Sequence, residues 1–352
     1  MSCFDSWKIK FLDIDGGDMS DEQYFAIKGC TSISRLKLLD PQHDGSPQKY
    51  LDGFSFDYNE SLSLGTAVHT SILQPDEFEL SKYDKKPTGK LGYFVEKVYH
   101  WRKNGKTITE AISLASNDAN YYKGRITPKI FRKALEQGFD YYYNLMSGTF
   151  DSDKEVLVLS KPLLEKAYAC IDSINNSYPI QRILRENDFE EKQFFNEIAM
   201  FTNVEVTFPD GQKHIIKVKG KLDSVVWDPE TEILYLNDIK TTSKPLEFFM
   251  GRFVDGQVYE GVFEHHIYFS QLALYNVMLQ KYFQEILHID YQDLQCNIFA
   301  VETCNQHRAE VFRINNSYID LGINKVKELI CRLAYHEVYG FDKEFPTEFG
   351  NV

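Results

Sequence analysis

Beyond residue 194 apolar and polar residues alternate along the chain, whereas upstream the apolar residues recur mainly at intervals of three and four. A period of two marks a strand with one buried face, and a period near 3.6 marks an amphipathic helix. The segment FNEIAMFTNVEVTFPDGQKHIIKVKGKLDSVVWDPETEILYLNDIKTT keeps the two-residue period and breaks at Pro209-Asp210-Gly211 and at Asp228-Pro229-Glu230-Thr231. It predicts three or four antiparallel strands joined by turns. A helix at about 267–283 follows, then strands near 292–302 and 309–314, then a helix from about 317 to 337.

Upstream, residues 20–40 read as a short segment followed by a helix capped near Thr31 or Ser32. Leu62, Ala67, Val68, Ile72 and Leu73 predict a helix over 61–74, ended by Pro75. The polar stretch 81–125 predicts a helix near 91–103 and a mobile loop after it, and helices are expected at 127–146 and 155–175. The last of these opens at Ser160-Lys161-Pro162, where proline suits the first turn. There is no internal repeat and no low-complexity linker. Helices, a β-meander, a helix, strands and a final helix make an α/β or α+β core preceded by a helical region.

Composition narrows the class. The 352 residues are 43% hydrophobic and 14% aromatic, enough to bury a large core in one or two domains. No run approaches the roughly 20 apolar residues of a membrane helix. The start, MSCFDSWKIKFLDIDGGD, has no apolar stretch behind a basic one, so a soluble, cytoplasmic protein is expected. The six cysteines, at 3, 30, 170, 296, 304 and 331, never fall in C-x-x-C spacing and suit reduced structural thiols. The net charge of −13 counts against a protein that merely coats DNA by neutralising phosphates. It counts little against an enzyme whose active site is itself acidic.

Strict alternation puts Lys217, Lys219, Lys221 and Asp223 on one face of a strand, with Val218, Gly220 and Leu222 on the other. The next strand ends with Asp238 and Lys240 on one face and Ile239 between them. The turn makes the two strands neighbours and can bring Asp223 near Asp238. Mg²⁺ takes oxygen ligands and keeps several waters. Asp223 and Asp238, with the Ile239 carbonyl, can therefore hold it beside a phosphate, while Lys240 orients water or offsets growing charge. An Asp-x-Lys alone is usually a solvated strand end, and one further Asp raises its weight only modestly.

The wider pattern decides. G-K-L-D at 220–223, D-I-K-T-T at 238–242 and Q-L-A-L-Y at 271–275 occur in the order of PD-(D/E)xK nucleases. S-L-S-L-G-T-A-V-H-T-S-I-L-Q-P-D-E-F at 61–78 resembles the Gly-x-x-x-His helix of the exonuclease VIII (RecE) branch, to which RecB nuclease domains and lambda exonuclease are more distant relatives. S-I-S-R-L-K-L-L at 32–39 is similar to that branch's opening helix, and E-V-Y-G-F ending at 341 to its closing element. The resemblance spans about 25–342, least over 81–190.

It implies a restriction-endonuclease-like core, a central mixed sheet flanked by helices. Residues 1–60 would be a helical segment packed on a nuclease domain of 61–342, with a helical insertion at about 81–190 and a tail at 343–352. Asp223 and Asp238 would be the principal metal ligands and Lys240 the catalytic lysine. His69 would be a ligand or phosphate contact, with Gly65 one turn earlier allowing close approach. Glu197 matches the additional acidic ligand better than Glu205, which also lies on an expected strand. Gln271 and Tyr275, four apart on a helix, would position substrate or support the lysine. Thr241, Thr242 and Lys221 would contact substrate. Each has a bland alternative: a structural histidine, the polar edge of a packed helix, an ordinary surface lysine. The adjacent His265 and His266 diverge on a helix and read as surface, and the tyrosines at 121–122 and 141–143 could stack bases but more often pack.

Related nucleases with an iron–sulfur cluster have a closely spaced downstream cysteine group. Cys296, Cys304 and Cys331 lack that spacing, so no cluster is expected. The cofactor implied is Mg²⁺, or Mn²⁺ in its place. The function implied is a 5′-to-3′ exonuclease on duplex DNA that leaves 3′ single strands for a single-strand annealing protein in phage-type recombination. A ring-shaped homo-oligomer would place Lys217, Lys219, Lys221 and Lys244 near its channel. The competing readings are a structure-specific or single-strand endonuclease and a non-catalytic nucleic-acid-binding protein on the same fold.

Overall fold

The computed structural model describes residues 6–53, 60–83, 88–119, 154–184, 191–254 and 257–346. Two compact units divide the chain, one of residues 1–57 with 174–352 and the other of 58–173. The N-terminal segment falls in one unit with the C-terminal half, and the 61–74 helix falls in the other.

In the first unit, β1 (Lys8–Phe11) and β2 (Asp15–Gly17) precede the helices α1 (Asp21–Ala26), α2 (Ile33–Leu36) and α3 (Pro47–Asp52). The opening region is thus not purely helical. Ser32 caps α2, its hydroxyl accepting the Arg35 N–H, so the second of the two expected caps is the one used.

The second unit contains α4 (Glu60–Leu73), β3 (Phe78–Tyr83), α5 (Gly89–Lys103), α6 (Ile108–Asp118), β4 (Glu155–Ser160) and most of α7 (Lys161–Asn176). Phe94, Val95 and Val98 of α5 pack on Ala111 and Ala115 of α6. Two expectations are corrected here. Residues 108–118 form a helix opened by a Thr107–Glu110 capping box where a loop was expected. Residues 155–160 are a strand paired in parallel with β3, where the β-branched Val156 and Val158 favour an extended chain, and the helix begins only at Lys161 with Pro162 in its first turn. The helix expected at 127–146 and the paired tyrosines lie outside the described residues.

The first unit resumes with α8 (Tyr178–Leu184) and the long strands β5 (Gln193–Thr207), β6 (Lys213–Asp228) and β7 (Ile233–Thr242). A small hairpin of β8 (Arg252–Val254) and β9 (Gln257–Tyr259) comes next, then α9 (Val262–His265) and α10 (Tyr268–Lys281). The chain ends with β10 (Asp293–Glu302), β11 (Ala309–Ile314) and α11 (Asn316–Tyr339). The sheet order is β1-β5-β6-β7-β10-β11, with β2 also on β5. It is mixed: β5, β6 and β7 form an antiparallel meander, and the crossover through α10 makes β10 parallel to β7. Val218, Leu222, Val225, Leu234 and Leu236 share one core with Leu272, Leu279 and Leu329 of the flanking helices. Among the described residues no helix is long and apolar enough to cross a membrane.

Two features of the meander set up the site. First, β6 pairs with β7 only over Ser224–Asp228, whereas β7 pairs with β10 along its whole length. The two strands therefore fork beyond Ser224. Lower on the same edge of β6, Thr31 takes the place of β7, its N–H donating to the Lys217 carbonyl at 2.8 Å and its carbonyl accepting the Lys219 N–H at 2.8 Å. Second, Val218 and Leu222 face the core, and so do Val225 and Trp227. The expected alternation, with Val218 and Leu222 inward and the lysines outward, runs as far as Leu222 and slips by one between 222 and 225.

Candidate active site

Asp223 stands at the fork itself. With β7 no longer alongside, its side chain does what the ladder would have done, Oδ2 accepting the Ile239 N–H at 2.9 Å. Continuing the register one step past Ser224↔Asn237 sets Asp238 across from Asp223. Asp238 Oδ1 accepts the Gln271 side-chain amide at 2.9 Å, and Oδ2 pairs with the Lys240 ammonium. Both aspartates are buried. Gln271 lies on α10, so helix and strand meet through this carboxylate.

Glu197 supplies the third carboxylate from the opposite side. Its neighbours pair as Asn196↔Ser224 and Ile198↔Leu222, so Glu197 lies directly across β5–β6 from Asp223. Its φ of 55° is left-handed, a conformation that a non-glycine residue inside a strand rarely adopts. Phe195 packs against the same core as Ile198, so β5 slips its alternation at the level where β6 does. Backbone strain of this kind collects at functional sites. Glu205, the competing acid, sits eight residues along the strand and pairs with Lys213 at 2.9 Å.

The lysines divide by role. Burial works against the charge of Lys240, but Asp238 and Asp223 outweigh it and hold the ammonium well above the ordinary lysine range. It also reaches the Ile239 carbonyl at 3.5 Å and lies 5.2 Å from the centre of the Tyr268 ring. Lys221 pairs with Glu197 at 2.7 Å and with Asp21 of α1; burial is more than offset by these partners, and its pKa is raised. Lys219 is buried, donating to the Tyr24 carbonyl at 2.7 Å and the Ile27 carbonyl at 3.2 Å at the end of α1. It is a tether for α1 rather than a channel-facing cation. Lys217 and Lys244 are exposed.

Tyr275 is buried one turn beyond Gln271. Burial, then Tyr24, Asp223 and Asp238, push its phenol well above the ordinary range, while a hydrogen bond with the Lys221 backbone acts the other way. Gly220 explains how the helix comes so close, since a Cβ there would lie 2.7 Å from the Tyr275 ring. Thr242 is buried and accepts the Lys244 N–H at 3.0 Å, while its carbonyl accepts from Thr303; Thr241 is half-buried beside it on β7. Gly65 and His69 lie a turn apart on α4 of the second unit, His69 half-buried. His265 and His266 are both exposed.

The structure adds residues that motif spacing missed: Asp21 and Tyr24 of α1, Lys37, and Tyr268. Tyr268, Gln271 and Tyr275 are spaced three and four apart on α10, so helical periodicity would have linked Tyr268 to the other two. Nothing local in the sequence marks Asp21 or Lys37 as neighbours of this sheet.

Glu197 and Asp223 bring carboxylate oxygens within 4.8 Å of one another, and the Asp238 carboxylate stands one strand further on, all of them hard oxygen donors. That set suits Mg²⁺ or Mn²⁺ and not a thiophilic metal. The half-buried lysines Lys240 and Lys221, each bonded to one of the carboxylates, answer the negative charge concentrated there.

No protein-family model and no curated protein matches the chain. Among solved structures, it is similar to the crystal structure of a "putative exonuclease" from Eubacterium rectale, at 13% identity and a TM-score of 0.47, covering 92% of this chain and 88% of that one. A likeness at that level fixes neither family nor activity.

Proposed function

We propose that the protein is a metal-dependent deoxyribonuclease. The observation that carries this reading is the fork between β6 and β7. There Asp223, Asp238, Lys240 and the Gln271 amide converge, with Glu197 across the next strand pair. A half-buried lysine bonded to one of a pair of buried aspartates, beside a strained glutamate, has little structural purpose where apolar side chains would pack more simply.

Glu197, Asp223 and Asp238 would hold the metal, with the Ile239 carbonyl, and the family resemblance adds His69 as a further candidate ligand. A bound Mg²⁺ would acidify water and neutralise phosphate oxygens. The chain's own groups do the rest. Lys240, kept charged by Asp238 and Asp223, orients the attacking water and offsets the charge that builds on phosphorus-bound oxygen. Gln271 fixes the Asp238 carboxylate through its amide, and Tyr275 holds the Lys221 backbone that carries the strand into the fork.

Within this class the favoured activity is 5′-to-3′ exonuclease action on duplex DNA, leaving 3′ single strands. A ring-shaped oligomer and an annealing protein as partner follow from the same resemblance. Thr241, Thr242, Lys221 and Gly65 are the proposed substrate contacts. The test is digestion of linear duplex labelled at the 5′ or the 3′ end, with Mg²⁺, with EDTA and with Lys240→Ala. Early release of the 5′ label, abolished by EDTA and by the substitution, is expected. Cleavage of closed circles would move the assignment to an endonuclease, and DNA binding without cleavage under any metal would move it to a binding protein.

A further inference from the structure

Lys37 follows α2, in a short turn whose Leu36 and Leu39 are buried in the core. Its ammonium lies 5.5 Å from the centre of the Tyr268 ring, the same ring that Lys240 approaches to 5.2 Å. Tyr268 thus holds two lysines by its π system, one from β7 and one from the turn that follows α2. Lys240 is bonded to a carboxylate. Lys37 is not: among the described residues its hydrogen bond goes to a neutral acceptor, the His266 carbonyl, at 2.9 Å.

The groups that act on Lys37 come from every side. Lys240 and Asp238 are on β7, Asp40 is three residues along its own chain, and His266 and Tyr268 lead into α10. Asp40 is itself engaged by His43 and Lys325. Burial first, and then the Lys240 charge, push Lys37 down to about 7, while Asp238 and Asp40 act weakly the other way. Lys240 is bonded to a carboxylate and Lys37 to a neutral carbonyl, so the two lysines sharing the Tyr268 ring are placed for different tasks.

Resting on the nuclease reading above, we propose that Lys37 is the general acid of the reaction, giving its proton to the oxygen that leaves phosphorus. The water oxygen bonds to phosphorus and its released proton passes to solvent. The bond from phosphorus to the departing ester oxygen breaks, and that oxygen takes the Nζ proton of Lys37. The amine left behind recovers a proton from solvent, so each turnover consumes one water. Lys240, bound to Asp238, keeps its charge throughout, and Tyr268 positions both ammonium groups.

The experiment compares the unaltered protein, Lys37→Met and Lys37→Arg on duplex DNA and on the same duplex with sulfur replacing the leaving oxygen at one linkage. Sulfur leaves without a proton. Lys37→Met should slow cleavage of ordinary DNA about 100-fold or more and cleave the sulfur linkage at close to the unaltered rate. Lys37→Arg keeps the charge but gives up no proton, so it should be impaired like Lys37→Met on oxygen. The unaltered protein should lose activity as pH rises above neutral, and Lys37→Met should lack that descent. Lys37→Met removes a half-buried charge that has no carboxylate partner among the described residues, so its melting temperature should be unchanged or higher. Equal losses on oxygen and sulfur, or full rescue by arginine, would overturn the general-acid role and leave the nuclease reading standing. Failure of the unaltered protein to cut any DNA would overturn both.

Discussion

The two halves of the β6–β7 pair are built from one continuous stretch of chain and obey different rules. Near the turn, five residue pairs from Ser224↔Asn237 to Asp228↔Ile233 run in regular antiparallel register. Val225, Trp227, Leu234 and Leu236 face the core, and Asp228 closes the turn by accepting the Glu230 and Thr231 N–H groups. Beyond Ser224 the strands part, and the inward positions become Asp223, Asp238 and Lys240. The paired half is held by apolar burial, which is non-directional and tolerant. The forked half is held by specific bonds from Ile239, Gln271 and Lys240, without which its carboxylates would be buried and unmatched. Stability resides in the first and chemistry in the second.

The largest effect should come from the forked half. Lys240→Ala is expected to lower DNA cleavage on the order of 100- to 1,000-fold, the usual loss when one transition-state-stabilising group is removed. A cleavage time course beside a thermal melt checks it, and a drop in activity matched by global unfolding would erase the contrast between the halves. The converse substitution is Leu236→Ala in the paired half. It should lose about 2–5 kcal/mol in denaturant unfolding, from lost burial plus the cavity left behind. Activity per folded molecule should remain, and loss of catalysis at full stability would show that the halves are not separable.

How far the sequence revealed this depends on what each residue signals by itself. The meander, its two turns, the helix carrying Gln271 and Tyr275, and the closing strands and helix were all legible, because a period of two or 3.6 reports burial directly. The strand at 155–160 was not, since a short apolar run next to a helix reads as helix until a partner strand is known. Asp223, Asp238 and Lys240 were legible as a group, but the fork between them was not. Neither proline nor glycine marks the slip between 222 and 225 or the turn of Glu197 into left-handed space. Lys219 and Lys221 had the spacing of a basic stripe and are used instead for the ends of α1, about 200 positions away in the chain, and for Glu197 on the neighbouring strand.

A smaller effect separates holding a ligand from being one. Gln271 touches the site through Asp238, so Gln271→Ala should reduce metal affinity or activity by about 10- to 100-fold, as for other groups that orient a ligand. Titration of Mg²⁺ in the cleavage assay checks this. The shift should appear as a higher metal requirement, with the maximal rate largely recovered at saturating metal. A fall in maximal rate alone would make the amide a substrate contact.

The smallest effect bears on why the forked half is strained. Glu197→Gly and Glu197→Ala both remove the carboxylate and its bond to Lys221, so both should lose cleavage to the same extent. They differ only in what they demand of the backbone. At a φ of 55° alanine carries a Cβ penalty that glycine escapes. The glycine variant should therefore be the more stable by about 1–2 kcal/mol, measured by denaturant unfolding of the two side by side. Equal stabilities would mean that the strand relaxes once the carboxylate is gone. The left-handed turn would then be imposed by the glutamate's own contacts. A persistent gap would place the strain in the paired strands themselves, with β5 and β6 slipping together and Glu197 held at that level whatever its side chain.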